Sequence, residues 1–295
     1  MDTEHLKSFV VVSDCASFSQ AADKLFITQP AVSKRIGVLE RQLDTRLFDR
    51  IGKQVQLTEA GRILLPKALK ILTDLDDATR AVQDLSGEVR GDLHVATSHH
   101  IGLHKLPPVL RDFAARYPNV NLRFEFLDSE IACERLLQGK CELALVTLPP
   151  RINPHLQAIT IWRDPLVFIT SNQSDITTRC TLSQLSQQPA ILPDLNTYTG
   201  QLVQRFFNEQ GLSLNISMAT NFLETIKMLC SVGLGWSVLP ASMVDNQLKQ
   251  LTVKNVKLER DLGIVRHTGR TLSNAGRAFV TSLNKTASKK HNNAM

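Results

Sequence analysis

The chain has 295 residues, 43% of them hydrophobic, and a formal net charge of +6. That length exceeds a single small binding module and predicts two or three domains with buried cores, and the positive balance suits a nucleic-acid partner. No apolar run approaches about 18 residues, which excludes a hydrophobic membrane-spanning helix and any expectation of a membrane partner.

Five cysteines, an odd number with no CxxC pair, argue against a disulfide framework and for a reducing compartment. Asp2 and Glu4 make the start unlike a secretion signal, so the expected location is cytoplasmic.

Leu6, Phe9 and Val10 predict a first helix. Ser17 and Gln20 form a capping pattern, and Phe18, Ala21, Ala22 and Leu25 follow at the spacing of one buried stripe. Thr28 is a good N-cap for the next helix and Pro30 fits its first turn. Val32, Ile36, Leu39 and Leu43 then face inward, leaving Gln29, Pro30, Ser33, Lys34 and Arg41 on the outer face.

Two short helices around a tight turn, the second with a polar and basic face, suit insertion into the DNA major groove. Gln29 and Ser33 can meet base edges, while Lys34 supplies charge toward phosphate or guanine. Arg46–Arg50 and Gln54–Leu57 alternate around Ile51-Gly52-Lys53, which predicts a small hairpin wing with Arg50 and Lys53 near its tip. Between Thr28 and Lys53 there are six Lys or Arg against three Asp or Glu, so the helical pattern carries the reading more than bulk charge does. A plain three-helix bundle with a solvated face is the alternative, and the wing and the long helix after it disfavour it.

The run SFSQAADKLFITQPAVSKRIGVLE, followed in order by LFDR and LTEAG, closely resembles the LysR-type transcriptional regulators. The resemblance is strong over residues 1–90 and weaker but collinear to about 285. The expected DNA-contacting residues are Ser19, Thr28, Gln29, Pro30, Ser33, Lys34, Arg50 and Lys53. Gly37 departs from a good recognition helix, at a cost on the order of 1 kcal/mol relative to alanine.

Thr58 caps a helix expected to run to about Leu85, with Glu59 near its positive end. Leu65, Ala68, Leu72, Leu75 and Val82, with Thr79 as one polar member, form a seam that predicts a dimerisation helix. Self-packing of an ordinary amphipathic helix is the alternative, and Pro66 should bend the helix. Ser86 to Gly91 reads as a hinge.

Beyond the hinge, strands and helices alternate, which argues for parallel sheets with crossover helices. Strands are expected at Leu93–Ala96, Val120–Phe126, Leu143–Val146, Leu166–Thr170, Ala190–Leu192, Leu214–Ala219, Trp236–Leu239 and Gly263–Arg266. Helices are expected at Leu103–Tyr117, Glu130–Gln138, Leu182–Leu185, Gly200–Gln210, Phe222–Val232 and Asn274–Leu283, with changes of unit at Pro149-Pro150 and Trp162–Pro165.

The expected fold is an α+β multidomain chain. It comprises a winged helix-turn-helix over residues 1–58, a linker and dimerisation helix over 59–90, and a two-lobed α/β domain over 91–295. Lobe 1 would take about 91–162 and 267–290, and lobe 2 about 163–266. Two lobes make a cleft able to close on a small ligand. The resemblance implies an effector-binding domain similar to periplasmic binding proteins.

Ligands of such lobes sit beyond the carboxyl ends of strands, at helix N-termini. That rule selects Thr97, Ser98 and His99, then Thr147, then Thr197-Tyr198-Thr199-Gly200, and Asn221-Phe222. The hydroxyls, backbone N–H groups and helix dipoles suit a small anion or carboxylate. The Thr-Ser pair, Thr147 and the Tyr-Thr-Gly segment also look like anion-binding positions of the branch controlling sulfur assimilation. The competing reading is that these residues are ordinary helix caps.

His100 and His104 lie one helical turn apart, but no neighbouring Cys or carboxylate in the sequence completes a metal set, so no metal or other cofactor is expected. Cys133 and Cys141 carry a redox-sensing alternative, while Cys230 sits in an apolar run as a core residue would. There is no GxSxG, HExxH, P-loop or dinucleotide fingerprint, so no enzyme is expected. A ligand-independent DNA-binding protein is the remaining alternative. As partners, the helix-turn-helix and the resemblance imply partly palindromic promoter DNA, a small effector and RNA polymerase, with the chain acting as a homodimer and homotetramer.

Overall fold

A computed structural model describes residues 2–51, 54–254 and 256–292. It separates into two compact units, Met1–Ser86 and Gly87–Met295. Among the described residues no helix is long and apolar enough to cross a membrane.

The first unit runs α1 (Thr3–Cys15), α2 (Phe18–Leu25), α3 (Gln29–Leu43), β1 (Phe48–Ile51), β2 (Gln54–Leu57) and α4 (Glu59–Gln83). Each helix starts where a short polar side chain accepts a backbone N–H of the first turn: Asp2 from Glu4, Ser17 from Gln20, Thr28 from Ala31 and Thr58 from Gly61. Left-handed residues Ala16, Phe26 and Asp44 turn the three corners that follow α1, α2 and α3. Small Ala21 and Ala22 lie buried among Leu6, Phe9, Val32 and Leu39. The wing is fastened to this core. Phe48 packs its ring 5.3 Å from Phe9 and 5.8 Å from Phe18, and Glu40 of α3 accepts the Leu47 N–H at 2.8 Å.

α4 is continuous through Pro66. The expected seam divides. Leu65, Ala68 and Leu72 pack on the core of their own unit, together with Leu64 and Leu69. Leu75 and Val82 stay exposed, as do Ile63 and Ile71. A helix with apolar residues around more than half its circumference can serve its own core with one face and keep another free, which a single-stripe reading of the sequence merges.

α3 also continues through Gly37, where an added Cβ would meet nothing within 4 Å. Gly37→Ala is therefore expected to stabilise the first unit by about 1 kcal/mol through helix propensity. A rise in its melting temperature by calorimetry checks this, and an unchanged or lower value speaks against it.

The second unit contains β3 (Gly91–Thr97), α5 (His99–His104), α6 (Pro107–Arg116), β4 (Val120–Phe126), α7 (Ser129–Leu137), β5 (Leu143–Thr147) and β6 (Leu156–Ser171). Then follow β7 (Arg179–Cys180), α8 (Leu182–Gln187), β8 (Ala190–Leu192), α9 (Tyr198–Glu209), β9 (Ile216–Ala219) and α10 (Leu223–Ser231). β10 (Ser237–Pro240), β11 (Leu248–Val253), β12 (Leu258–His267) and α11 (Asn274–Asn292) complete it. The main sheet has the order β4-β3-β5-β12-β6-β11-β7, with β10 also beside β6 and with β8-β9 as a separate parallel pair.

Only part of this sheet is parallel. β4, β3 and β5 are mutually parallel, whereas β12 runs antiparallel to both β5 and β6. The single helix expected over Leu103–Tyr117 is two, because Pro107-Pro108 cannot continue α5 and instead open α6. The strand expected to begin at Leu166 starts ten residues earlier and runs straight through Trp162–Pro165. β11 and β7 were not foreseen.

β6 and β12 are the two connections between lobes. Residues 262–265 of β12 pair with β5, while Leu258 to Asp261 pair with the far half of β6. The lobes therefore exchange inside a strand, earlier than the limit at 266 read from the sequence. The register shifts between Leu262 and Gly263, where a Cβ on Gly263 would lie 2.1 Å from the Ile159 carbonyl oxygen, so only glycine allows this approach.

Candidate functional site

In the first unit, α3 presents Gln29, Pro30 and Lys34 exposed and Ser33 half-buried, and Thr28 and Ser19 are exposed nearby. Gln29 Nε2 donates to Ser33 Oγ at 3.0 Å, so the two polar side chains act as one unit on successive turns. Arg35, next to Lys34 in sequence, is committed elsewhere: its Nη1 lies 2.9 Å from Glu4 and donates to Ser8 Oγ, tying α3 to α1. Arg50 lies in β1, its side chain is not among the described atoms, and Lys53 lies outside the described residues.

In the second unit, a small cavity of about 50 Å³ lies between the lobes. Lobe 1 supplies Ser98, His99, Thr147 and the Asp128-Ser129-Glu130 turn, and lobe 2 supplies Thr197, Tyr198, Thr199 and Asn221. Its floor is Arg260, on the β12 crossing. Arg260 pairs with Asp164 directly across the ladder to β6, donating Nε–H to Oδ2 at 2.9 Å, and its Nη1 donates to Thr199 Oγ1 at 2.8 Å. Nη2 lies 2.9 Å from the same Asp164 oxygen, completing the ion pair, without a well-angled hydrogen bond among the described residues. Burial pulls the Arg260 pKa down and Asp164 opposes that.

The lobes are held together by contacts across the cleft. The Tyr198 backbone N–H, at the start of α9, donates to the Glu130 carboxylate. Asn221 Nδ2 donates to Asp128 at 2.7 Å, and its Oδ1 accepts the Asp194 N–H at 2.9 Å. His99 stacks edge-on to Phe222 at 4.9 Å, and His104 Nε2 lies 2.8 Å from Glu224 Oε1. Burial, then the nearby Asp128 charge, push the Glu130 carboxyl up, against backbone N–H groups that pull it down.

The structure gathers Ser98, His99, Thr147 and Thr199 around one cavity. Phe222, half exposed, closes on His99 beside it. Thr97 is a correction. It is fully buried and its hydroxyl donates to the Leu145 carbonyl at 3.0 Å, so it clamps β3 to β5 and does not line the cavity. The reason given against a metal set also falls. Glu224, 120 residues from His104, brings the carboxylate that no sequence neighbour supplied.

Asp164 and Arg260 went unrecognised: Asp164 falls in Trp162–Pro165, read as a change of unit, and Arg260 lies just before the strand expected at Gly263–Arg266. The missing information was the register that puts them opposite each other.

The redox alternative meets an electrostatic obstacle. Cys133 and Cys141 are buried, and desolvation pushes their thiols up to about 11 and about 12, away from thiolate.

Residues 86–288 match the family described as LysR substrate binding domain, and residues 3–62 match the bacterial regulatory helix-turn-helix protein, lysR family. The chain belongs to the LysR family of transcriptional regulators. As a LysR regulator it is a DNA-binding protein with an effector-binding domain and not an enzyme. An uncharacterized HTH-type transcriptional regulator of Azotobacter vinelandii is 58% identical over 108 residues, covering 37% of this chain and 75% of that one. The RuBisCO operon transcriptional regulator of Allochromatium vinosum is 28% identical over 293 residues, covering 97% and 96%. Among solved structures, full-length CbnR complexed with its target DNA has the same fold, with a TM-score of 0.65 at 21% identity over 97% of this chain and 100% of that one.

Proposed function

We propose that this LysR regulator acts in the cytoplasm as a homodimer, assembling further into a tetramer, on partly palindromic promoter DNA, and that a small carboxylate in the interlobe cleft controls how it presents that DNA to RNA polymerase. The observation that supports the effector class is the Glu130 carboxylate on the Tyr198 N–H, an internal group at the start of α9 of the kind a ligand carboxylate would replace. Arg260, ion-paired with Asp164, lines the same cavity and offers a second positive point for the anion. An effector carboxylate takes Glu130's place and thereby shifts the balance between closed and open lobes, which it can do only through a difference in affinity for the two. The exposed apolar residues Ile63, Ile71, Leu75 and Val82 of α4 support pairing with a second copy.

Two measurements test this. Glu130→Ala removes the internal competitor and is expected to raise affinity for small carboxylates on the order of tenfold, read as a larger thermal shift at fixed ligand. If a broad panel of small carboxylates leaves both proteins' melting unchanged, the effector class is wrong. On the DNA side, Ser33→Ala is expected to cost on the order of 1 kcal/mol and to relax preference at one base position. Lys34→Ala should weaken binding to all sequences and lower the salt slope by about one. Equal loss of sequence preference in both variants contradicts that division of roles.

A further inference from the structure

We infer that His100, His104 and Glu224 form a binding site for a divalent transition-metal ion, zinc(II) foremost, that staples the two lobes together. One potential ligand atom from each of the three lies within 4.8 Å of the others. The two histidines are four residues apart on α5 in lobe 1, so one helical face carries both rings, whose centroids are 4.9 Å apart. Glu224 comes from the first turn of α10 in lobe 2 and already touches His104 at 2.8 Å.

A second observation points the same way. The His100 side chain is 95% buried, 5% of it being exposed, yet neither of its ring nitrogens has a hydrogen-bond partner among the described residues. A neutral buried imidazole carries one N–H and one ring-nitrogen lone pair, and leaving them unmatched costs on the order of 1–3 kcal/mol. Coordination of a cation by the lone pair answers that deficit. Asp164 Oδ2, 3.7 Å from His100 Nε2, is placed to take the N–H of the other side after a small ring shift, the outer carboxylate that metal-bound histidines usually have.

The donor set decides the class. Two imidazoles and a carboxylate suit zinc(II) and its first-row neighbours, and they do not suit magnesium or calcium, which prefer all-oxygen surroundings. Zinc with arms of about 2.0–2.2 Å separates its ligand atoms by about 3.3 Å, which modest side-chain rotations achieve from the present positions. His104 is exposed and Glu224 half-buried, so an ion enters from the solvent side. Because the ligands straddle the cleft, the ion favours closed lobes over open ones by its full difference in affinity. His100 also lines the cavity at Tyr198, but the site uses neither Glu130 nor the Tyr198 N–H, so a titration with zinc alone does not depend on that reading.

The experiment uses the full-length protein, first freed of metal, with zinc alone titrated by calorimetry and followed by thermal shift. The expected result is one ion per chain with a rise in melting temperature, no such rise with magnesium, and at least a hundredfold weaker binding in His104→Ala and in Glu224→Gln. Both positions are accessible, so these variants are expected to fold, which their metal-free melting temperatures check. Absence of stoichiometric zinc binding by the wild-type chain overturns the inference. So does zinc binding that His104→Ala and Glu224→Gln leave intact, which would place the ion elsewhere, for instance on cysteine.

Discussion

Asp164→Ala is expected to destabilise the second unit by about 3–5 kcal/mol, the usual cost of leaving one member of a buried ion pair alone. Asp164 is 1% exposed and Arg260 8%, so water cannot replace the lost carboxylate. The guanidinium would keep only its bond to Thr199 Oγ1. Asp164 also faces Lys105 Nζ at 3.8 Å, so a second cation would lose its nearest counter-charge. The chain's two tryptophans, Trp162 and Trp236, both belong to the second unit, and denaturant unfolding followed by their fluorescence reads this unit alone. Removing both charges together, as Asp164→Leu with Arg260→Met, should recover most of the loss, because apolar replacement of a whole buried pair is often neutral. A cost below about 1 kcal/mol for the single change would mean that the pair is solvated.

The second large effect is expected in the first unit. A Cβ added at Gly61 would lie 2.3 Å from the Leu47 carbonyl oxygen and 2.8 Å from Leu57 Cδ2. Leu47 O cannot simply withdraw, since it accepts the Thr58 N–H at 3.0 Å, and the Thr58 hydroxyl in turn holds the Arg46 carbonyl at 2.7 Å. Gly61→Ala should therefore cost about 3 kcal/mol, at the upper end of overpacking. It should also weaken DNA binding by loosening the wing, while the tryptophan-reported transition stays put. Unchanged melting of the first unit would show that the wing moves aside at little cost.

Much of the first unit was legible because its signals are local. Caps at Ser17, Thr28 and Thr58 and the apolar stripe of α2 act within one or two turns, and the chain honours each of them. The glycine of LTEAG was visible as a motif, but its reason was not, because the clash partner, Leu47, is fourteen residues away. The α4 seam was legible only in part for a related cause: spacing alone does not say that Leu65, Ala68 and Leu72 meet their own core while Leu75 and Val82 stay exposed.

In the second unit, cleft residues at strand ends were found by a general rule, and Ser98, His99, Thr147 and Thr199 do gather. Thr97 is adjacent to them in sequence yet is the last residue of β3, its hydroxyl spent on the Leu145 carbonyl, whereas Ser98 has already left the strand as the N-cap of α5. Asp128, Glu130, Asp164 and Arg260 depend on pairings across 61 to 96 residues, such as Glu130 with Tyr198 and Asp164 with Arg260. No periodicity encodes those.

The crossing made by β6 and β12 has a mechanical corollary. Two antiparallel strands laddered to each other over ten residue pairs form a ribbon, stiff against stretching and sliding because either motion would break several bonds at once. Out-of-plane flexing breaks none of them. Rocking along that one soft direction is then the sole inexpensive movement between the halves, and any agent that bends the ribbon, whether from inside the gap or from its outer flank, pulls on a common lever.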